Sequence, residues 1–457
     1  MKTGQIPSIW KKAIVIPIYK KGEINKPSNF RPISLTSPIC RLLEKINHKR
    51  MMSHILKNQI VSDAQHGFVQ MRSTQTQQLN FLNKLTRLYD QNTQVEIVYL
   101  DFSKAFNKIS HQNLLIALHH YKFNPIIITW LQNYLSDRSQ RTVVDMTYSD
   151  STPVPSGVPQ GSVVGPLLFV IYLEDLIRKI ELVCKNTSVY AFADDIKLLS
   201  TDKTDLQQAL DLVSSWTNKW QLLLNETKSE HLTVRKKHQT TFTIGNTPIP
   251  KVSEVKDLGI TLSDDLKSSQ YIHQIRGKAN TISHIILKSF KSNNTQLLVN
   301  LFKTYVRPLT EYNTSSWSPY LRSDIQEMES VQRKFTRNIC QRANLTFSNY
   351  EERLLKLKLE SLESRRIKRD LILLYKIIHN IVDVDAKNFF MFSSLGGYNL
   401  RRHQLHINRK PKTKTLRREN FFTYRVIKFW NDLPEEIVMS QTLAIFKTKL
   451  NRVSFGA

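Results

Sequence analysis

YAFADDIKLLS, residues 190–200, sets two apolar runs around a pair of adjacent acids. Val189, Tyr190 and Phe192 lead in and Ile196, Leu198 and Leu199 lead out, so Ala193-Asp194-Asp195 reads as the tip of a tight β-hairpin. Carboxylates held that close repel, and each gives up hydration between buried strands, so a divalent cation is their natural complement. An acidic turn by itself is also what any solvated hairpin shows. Upstream, residues 94–106 (QVEIVYLDFSKAF) are a near-continuous apolar run carrying Asp101, the pattern of a strand buried on both faces that delivers a carboxylate at its end. If that strand lies beside the hairpin, Asp101 and Asp194 share hard cations. Oxygen ligands of this kind suit magnesium and two-metal phosphoryl transfer.

Composition narrows the partner. Across 457 residues, 66 Lys and Arg stand against 38 Asp and Glu, a net charge of +28, which calls for a polyanion. Nucleic acid fits better than membrane, because no apolar run approaches the roughly 18 residues that span a bilayer. Cys40, Cys184 and Cys340 are far apart and form no CxxC pair, so neither a disulfide framework nor a structural zinc site is supported, and a reducing, intracellular compartment (nucleus or cytoplasm) is expected. The length allows two to four subdomains, and helical patterns mixed with strands point to α+β. The N-terminus lacks a signal-peptide core.

Other blocks have local readings. Residues 13–18 (AIVIPI) form a strand followed by Lys20 and Lys21. Arg31-Pro32 then precedes an extended piece, and Ser37-Pro38 opens an amphipathic helix. Such basic residues could grip a triphosphate or be plain surface charge. Residues 155–169 (PSGVPQGSVVGPLLF) form a Gly/Pro loop before an apolar helix, whose start offers free N–H groups. From about 273 to 342 the chain is helical and basic. Arg365, Arg366, Lys368 and Arg369 cluster further on, residues 401–418 hold eight Lys or Arg and no acid, and the tail at 421–450 reads as a small helical cap packing on itself.

Taken in order, these blocks resemble the reverse transcriptases of non-LTR retrotransposons, LINE-like and jockey-type, with GVPQGSVVGP the most specific string. The resemblance implies a right-hand polymerase with an antiparallel palm sheet and a helical, basic C-terminal extension. It would divide into fingers over 1–85, palm over 86–250, primer grip and thumb over 251–345, and extension over 346–457. In the family the fingers begin further upstream, commonly behind an endonuclease domain, and that part is missing here. The implied activity is RNA-directed DNA polymerisation with Mg2+, or Mn2+, on an RNA template and a DNA primer or target, using dNTPs. Asp101, Asp194 and Asp195 would be catalytic, with Asp101, Phe102, Asp194 and Asp195 as metal ligands. Lys20 and Arg31 would contact the nucleotide phosphates, Phe106 the sugar, Gln160 and Gly161 the nucleotide and template pocket, and Lys228 the departing pyrophosphate. Arg72, in the HGF…RST block at 66–79, would touch the template, and Leu258-Gly259 would form the primer grip. Gln70, Met71 and Asn107 depart from the common pattern, which leaves open a decayed copy that only binds nucleic acid. A palm RNA-dependent RNA polymerase is the other rival, and Phe106 discriminates against it.

Overall fold

A computed structural model describes residues 4–103, 105–393, 403–408 and 410–455. Arg401, Arg402 and Arg409 of the expected basic run lie outside the described residues. In chain order the principal helices are α1 (Pro38–Lys57), α2 (Thr74–Asp90), α3 (His111–His120), α4 (Pro125–Leu135), α5 (Gly165–Val183), α6 (Lys203–Trp220), α7 (Ser269–Ser289), α8 (Arg322–Arg342), α9 (Leu362–Ile378), α10 (Phe422–Asn431) and α11 (Leu443–Leu450). Among the described residues no helix is long and apolar enough to cross a membrane. Two compact units emerge: Met1–Ser73 with Glu96–Thr233 and His238–Val252, and Thr74–Val95 with Val234–Lys237 and Ser253–Ala457.

The first unit carries two sheets. In one, β1 (Lys12–Tyr19) pairs antiparallel with β2 (Phe30–Leu35). The other is built around β3 (Val95–Leu100), and β4 (Ser139–Val144) joins β1 of the first sheet in parallel. Beside β3 lies the hairpin of β5 (Thr187–Phe192) and β6 (Asp195–Ser200) on one side and β7 (Glu230–Val234) with β8 (Lys251–Val252) on the other, in the order β8-β7-β3-β6-β5. The pairs β3/β6 and β5/β6 are antiparallel, as the α+β reading requires, while the short edge strand β8 adds on in parallel. Val95, Ile97, Val98 and Leu100 are buried on both faces of β3. Behind the sheet runs α5, whose first half is apolar all round, with every residue from Leu167 to Leu173 fully buried. Its start is not open: the amides of Val163 and Val164 donate to Glu44 and that of Gly165 to the Ser162 hydroxyl. The expected free N–H groups are therefore already satisfied from within. The α1 helix also differs from a simple amphipathic one, since its buried stripe (Cys40, Glu44, Asn47, Met51, Ile55) is part polar, while Ile39 and Leu42 are exposed.

In the second unit, β9 (Glu254–Asp257) and β10 (Ile260–Ser263) form a hairpin whose two-residue turn is Leu258-Gly259, φ 46° and 87°. Positive φ at both positions is the primed turn that follows strand twist, and glycine makes the second one easy. The turn carbonyls accept hydrogen bonds from Tyr312 and Tyr271. An apolar core joins α7 to α8 through Phe302, Phe335 and Ile339. The tail packs on α9 rather than on itself alone, with Phe446 of α11 stacked on Tyr375 at 4.3 Å. Part of the 401–418 run is also turned inward. Arg418 is buried and donates to Asn83 and Thr86, and Lys410 lies over the rings of Phe390 and Tyr424. Those two cations stabilise the fold and do not follow a backbone on the surface.

Candidate active site

Register decides where the acids go. β5 and β6 pair down to Phe192 opposite Asp195, which leaves Ala193 and Asp194 as a two-residue loop. Ala193 takes φ 56°, the left-handed conformation that opens a primed turn and that alanine adopts only with strain. Across β6, Leu100 of β3 lies opposite Ile196, so the next residue, Asp101, comes level with Asp195 at the same end of the sheet. Asp101 and Asp195 are exposed there, and Asp194 is half-buried. Burial raises the Asp194 pKa, its own amide lowers it, the charge of Asp101 raises it, and Arg31 and Lys20 pull it down again. Two acids from distant stretches thus share one electrostatic neighbourhood with two cations.

The turn is held by a residue the sequence did not mark. Gln65, fully buried, forms a parallel bridge with Ala191, and its Oε1 accepts the amides of Ala193 at 2.9 Å and Gly67 at 2.8 Å. Backbones run so close here that a Cβ on Gly67 would meet the Ala193 nitrogen at 2.3 Å. Nothing in spacing or composition distinguishes this glutamine from a surface one. Arg72, expected at the template, braces the segment that carries Gln65: Nη1 donates to the carbonyls of Ser62 (2.6 Å) and Gln65 (2.8 Å), and Nη2 pairs with Asp63 at 2.8 Å. Its side chain is only 8% exposed, so in this structure Arg72 braces the 62–65 segment.

On its other side Asp101 is tied by its backbone. The Asn225 amide donates to the Asp101 carbonyl at 2.7 Å and Ser103 donates to Leu223, around an antiparallel bridge between Phe102 and Leu224. This pairing turns the Phe102 carbonyl away from Leu224, while its ring is buried in the core, so the ring itself offers no ligand. The same 225–229 turn leaves Lys228 exposed as the last residue of a 3-10 turn (Glu226–Lys228). Glu230, next along, has its pKa raised by burial and then by Asp101.

The remaining candidates surround this end of the first unit. Register sets Ile18 opposite Arg31, which puts Lys20 and Arg31 on one face of the β1/β2 hairpin, both exposed. Phe106 is half-buried, stacked on Phe169 at 4.7 Å and edge-on to Phe68 at 6.4 Å, so it is at once a core ring and a partly accessible one. Gln160 is fixed twice: its carbonyl accepts the Ser34 amide at 2.7 Å and its side chain donates to Asn107 at 3.1 Å. Asn107 therefore retains an acceptor at the departure position. Gly161 sits at φ 109° with the Ser34 carbonyl 2.9 Å from where a Cβ would be, so both conformation and space demand glycine. Glu44 was also missed. Its signal was a carboxylate placed among the stripe positions that α1 buries.

Among the described residues no group of three or more His, Cys, Asp or Glu side chains is set to hold a metal. The side chains that register brings to the sheet end, those of Asp101, Asp194 and Asp195, are all carboxylates. They suit a hard divalent cation, which would offset both the burial and the Asp101 charge that raise the Asp194 pKa.

Comparison with known proteins places this geometry. Residues 18–262 match the family described as "Reverse transcriptase (RNA-dependent DNA polymerase)". The "Probable RNA-directed DNA polymerase from transposon X-element" of Drosophila melanogaster is 26% identical over 345 residues, covering 73% of this chain and 38% of that protein. The "RNA-directed DNA polymerase from mobile element jockey" of the same fly is 25% identical over 355 residues, covering 74% and 38%. The chain thus spans well under half the length of these relatives. Among solved structures, apo telomerase from Candida tropicalis superposes over 84% of this chain and 69% of its own at 10% identity, with a TM-score of 0.43, too loose a likeness to build on.

Proposed function

The chain belongs to the reverse transcriptase (RNA-dependent DNA polymerase) family, on its LINE-like, jockey-type branch, and from that premise we propose that it copies an RNA template into DNA by adding dNTPs to a primer 3′-hydroxyl. The observation that carries the reading is the register that brings Asp101 level with the β5/β6 turn and within the electrostatic reach of Asp194. Asp101, Asp194, Asp195 and the Phe102 carbonyl would hold Mg2+, with Mn2+ able to substitute. Held by these oxygens, such a cation would supply Lewis-acid activation of the primer hydroxyl and neutralisation of charge on the leaving pyrophosphate.

The protein groups would do the rest. Lys20 and Arg31, already on one face, would bind the triphosphate, Arg31 by its planar fork and Lys20 as a point charge. The Phe106 ring, braced by Phe169, would lie under the sugar and exclude a 2′-hydroxyl. Gln160 and Gly161 would present a fixed backbone to the nucleotide and the template. Lys228 would supply a proton to pyrophosphate, and the Leu258-Gly259 turn would hold the primer strand.

Primer extension on poly(rA)/oligo(dT) with Mg2+ or Mn2+, comparing wild type with Asp194→Asn, tests this. The expected result is dTTP incorporation by the wild type and loss of at least a hundredfold in the variant, about 2.7 kcal/mol of transition-state stabilisation. Equal activity in both would remove the metal-site assignment. Inactivity of both, with salt-sensitive RNA binding retained, would indicate a decayed copy.

A further inference from the structure

One buried side chain meets the strained turn before Asp194 on both of its polar sides. Gln65 is fully buried, and its Oε1 accepts the amides of Ala193 and Gly67 while its Nε2 donates to the Ala193 carbonyl at 3.4 Å. A carboxamide presents an acceptor and a donor side by side, so a single group satisfies the whole Ala193 backbone. Ala193 holds φ 56°, a conformation that a residue other than glycine keeps only where its surroundings over-determine it. The carbonyl that Gln65 grips belongs to the peptide leading into Asp194. The grip therefore sets the direction in which that carboxylate leaves the turn.

The clamp is itself anchored away from the turn. The His66 amide donates to the Ala191 carbonyl and the Ala191 amide to the Ala64 carbonyl, both at 2.8 Å, which seats residues 64–66 along β5. At its other end the segment is tied to α5, where Glu174 accepts the Ser62 amide at 2.9 Å and Arg178 Nη2 donates to the carbonyls of Gln59 (2.7 Å) and Ile60 (2.6 Å). Gln65 thus joins the turn to the buried core of the first unit. A two-residue hairpin closes through its own ladder, so the grip is superfluous for pairing β5 with β6 and acts on the loop alone.

We propose that Gln65 is a positioning residue for the metal-binding turn: by fixing the Ala193 backbone it sets where Asp194 presents its carboxylate to a divalent cation. The use of that cation in polymerisation rests on the reverse-transcriptase reading; the grip on the turn does not. Mg2+ demands near-ideal octahedral geometry, so a displaced carboxylate should weaken its hold on Mg2+ more than on a larger, less exacting ion such as Mn2+.

The test compares wild type with Gln65→Met, which removes acceptor and donor, Gln65→Glu, which keeps the acceptor, and Gln207→Met. Gln207 makes the same two-sided grip elsewhere in the first unit, accepting the Thr243 amide at 3.1 Å and donating to its carbonyl at 3.0 Å, and serves as the control. Three readings are taken on the full chain: hydrogen–deuterium exchange over residues 189–196, Mn2+ affinity from the EPR signal of the free ion, and primer extension with Mg2+ or Mn2+. Gln65→Met should speed exchange in the turn about tenfold and weaken Mn2+ binding about threefold. With Mg2+ it should reduce kcat about a hundredfold, the effect of a displacement near 1 Å, while KM for dNTP stays within about twofold. Its Mn2+-to-Mg2+ rate ratio should rise about fivefold, which a smaller folded fraction alone would not produce. Gln65→Glu should keep the turn amides protected and lose less kcat than methionine; should methionine prevent folding, a raised metal ratio in the glutamate variant carries the test. Gln207→Met should leave turn exchange and the metal ratio as in wild type. Unchanged exchange in Gln65→Met, an unchanged metal ratio, or a control that behaves like the test variant overturns the proposal. A wild type that does not polymerise removes the activity, and exchange with Mn2+ affinity then decides the clamp by itself.

Discussion

Replacing Glu44 by alanine removes the acceptor of two backbone amides at the mouth of α5. Val163 donates to it at 2.6 Å and Val164 at 3.2 Å, and Glu44 is fully buried. An amide left buried without a partner costs about 1–3 kcal/mol, so Glu44→Ala should destabilise the first unit by about 2–6 kcal/mol. For a body of this size that lowers the melting temperature by roughly 2–4 °C per kcal/mol. Glutamine keeps an acceptor oxygen in place and forfeits only the charge assistance, about 1 kcal/mol. The ranking wild type, Glu44→Gln, Glu44→Ala should therefore appear in thermal and urea melts. The loop Glu44 anchors also contains Gln160 and Gly161, so Glu44→Gln should raise the KM for dNTP several-fold while leaving kcat within twofold, as expected when ground-state positioning is weakened. An alanine variant within about 0.5 kcal/mol of wild type would show that water or a loop shift satisfies the amides, and the anchoring argument would fail.

Gly67→Ala forces a Cβ into the backbone of Ala193, so the turn bearing Asp194 must move; a displacement near 1 Å should reduce kcat by about a hundredfold in primer extension, with nucleic-acid binding retained. Phe106→Ala opens the space above Phe169 and should raise rNTP incorporation relative to dNTP at least tenfold, about 1.4 kcal/mol; a wild type that already uses both would contradict the reverse-transcriptase assignment. Burial raises Glu174 from 4.5 to about 8 against the pull of the Ser62 amide and Arg178. The native state therefore keeps a proton that the unfolded chain releases. That stability is complete below about 4.5 and is lost as pH climbs through about 8. Glu174→Gln should abolish the slope, gaining on wild type between pH 5 and pH 9 by an upper bound of about 4 kcal/mol in urea melts; parallel curves would refute it.

What could be read in advance was whatever repeats or stands out along the chain. Alternating and continuous apolar runs gave β3 and the β5/β6 hairpin because strand burial imposes a period, and the same register carried Asp101 and Asp194 to one sheet end. Leu258-Gly259 was legible because a two-residue turn needs positive φ. Polar side chains facing inward were not legible, since one arginine or glutamine looks like another until its partners are fixed. Arg72, expected as a template contact, also braces Ser62 and Gln65; Arg418 reads as part of a charged run yet is buried against Asn83 and Thr86.

The same asymmetry explains which cations remain for a ligand. On α9, Arg366 and Lys368 are buried, whereas Arg369, three residues from one and a single residue from the other, is exposed. Composition alone would count all of them toward nucleic-acid affinity. Helical phase divides them: the inward pair serves the fold, and only the outward face, held by Glu311, can contribute to the slope of nucleic-acid affinity against salt concentration. Alanine at Lys368 should consequently lower the melting temperature and leave the slope unchanged, whereas alanine at Lys376 should do the reverse. A slope that followed total charge regardless of phase would mean that the polyanion meets a diffuse field instead of a built surface.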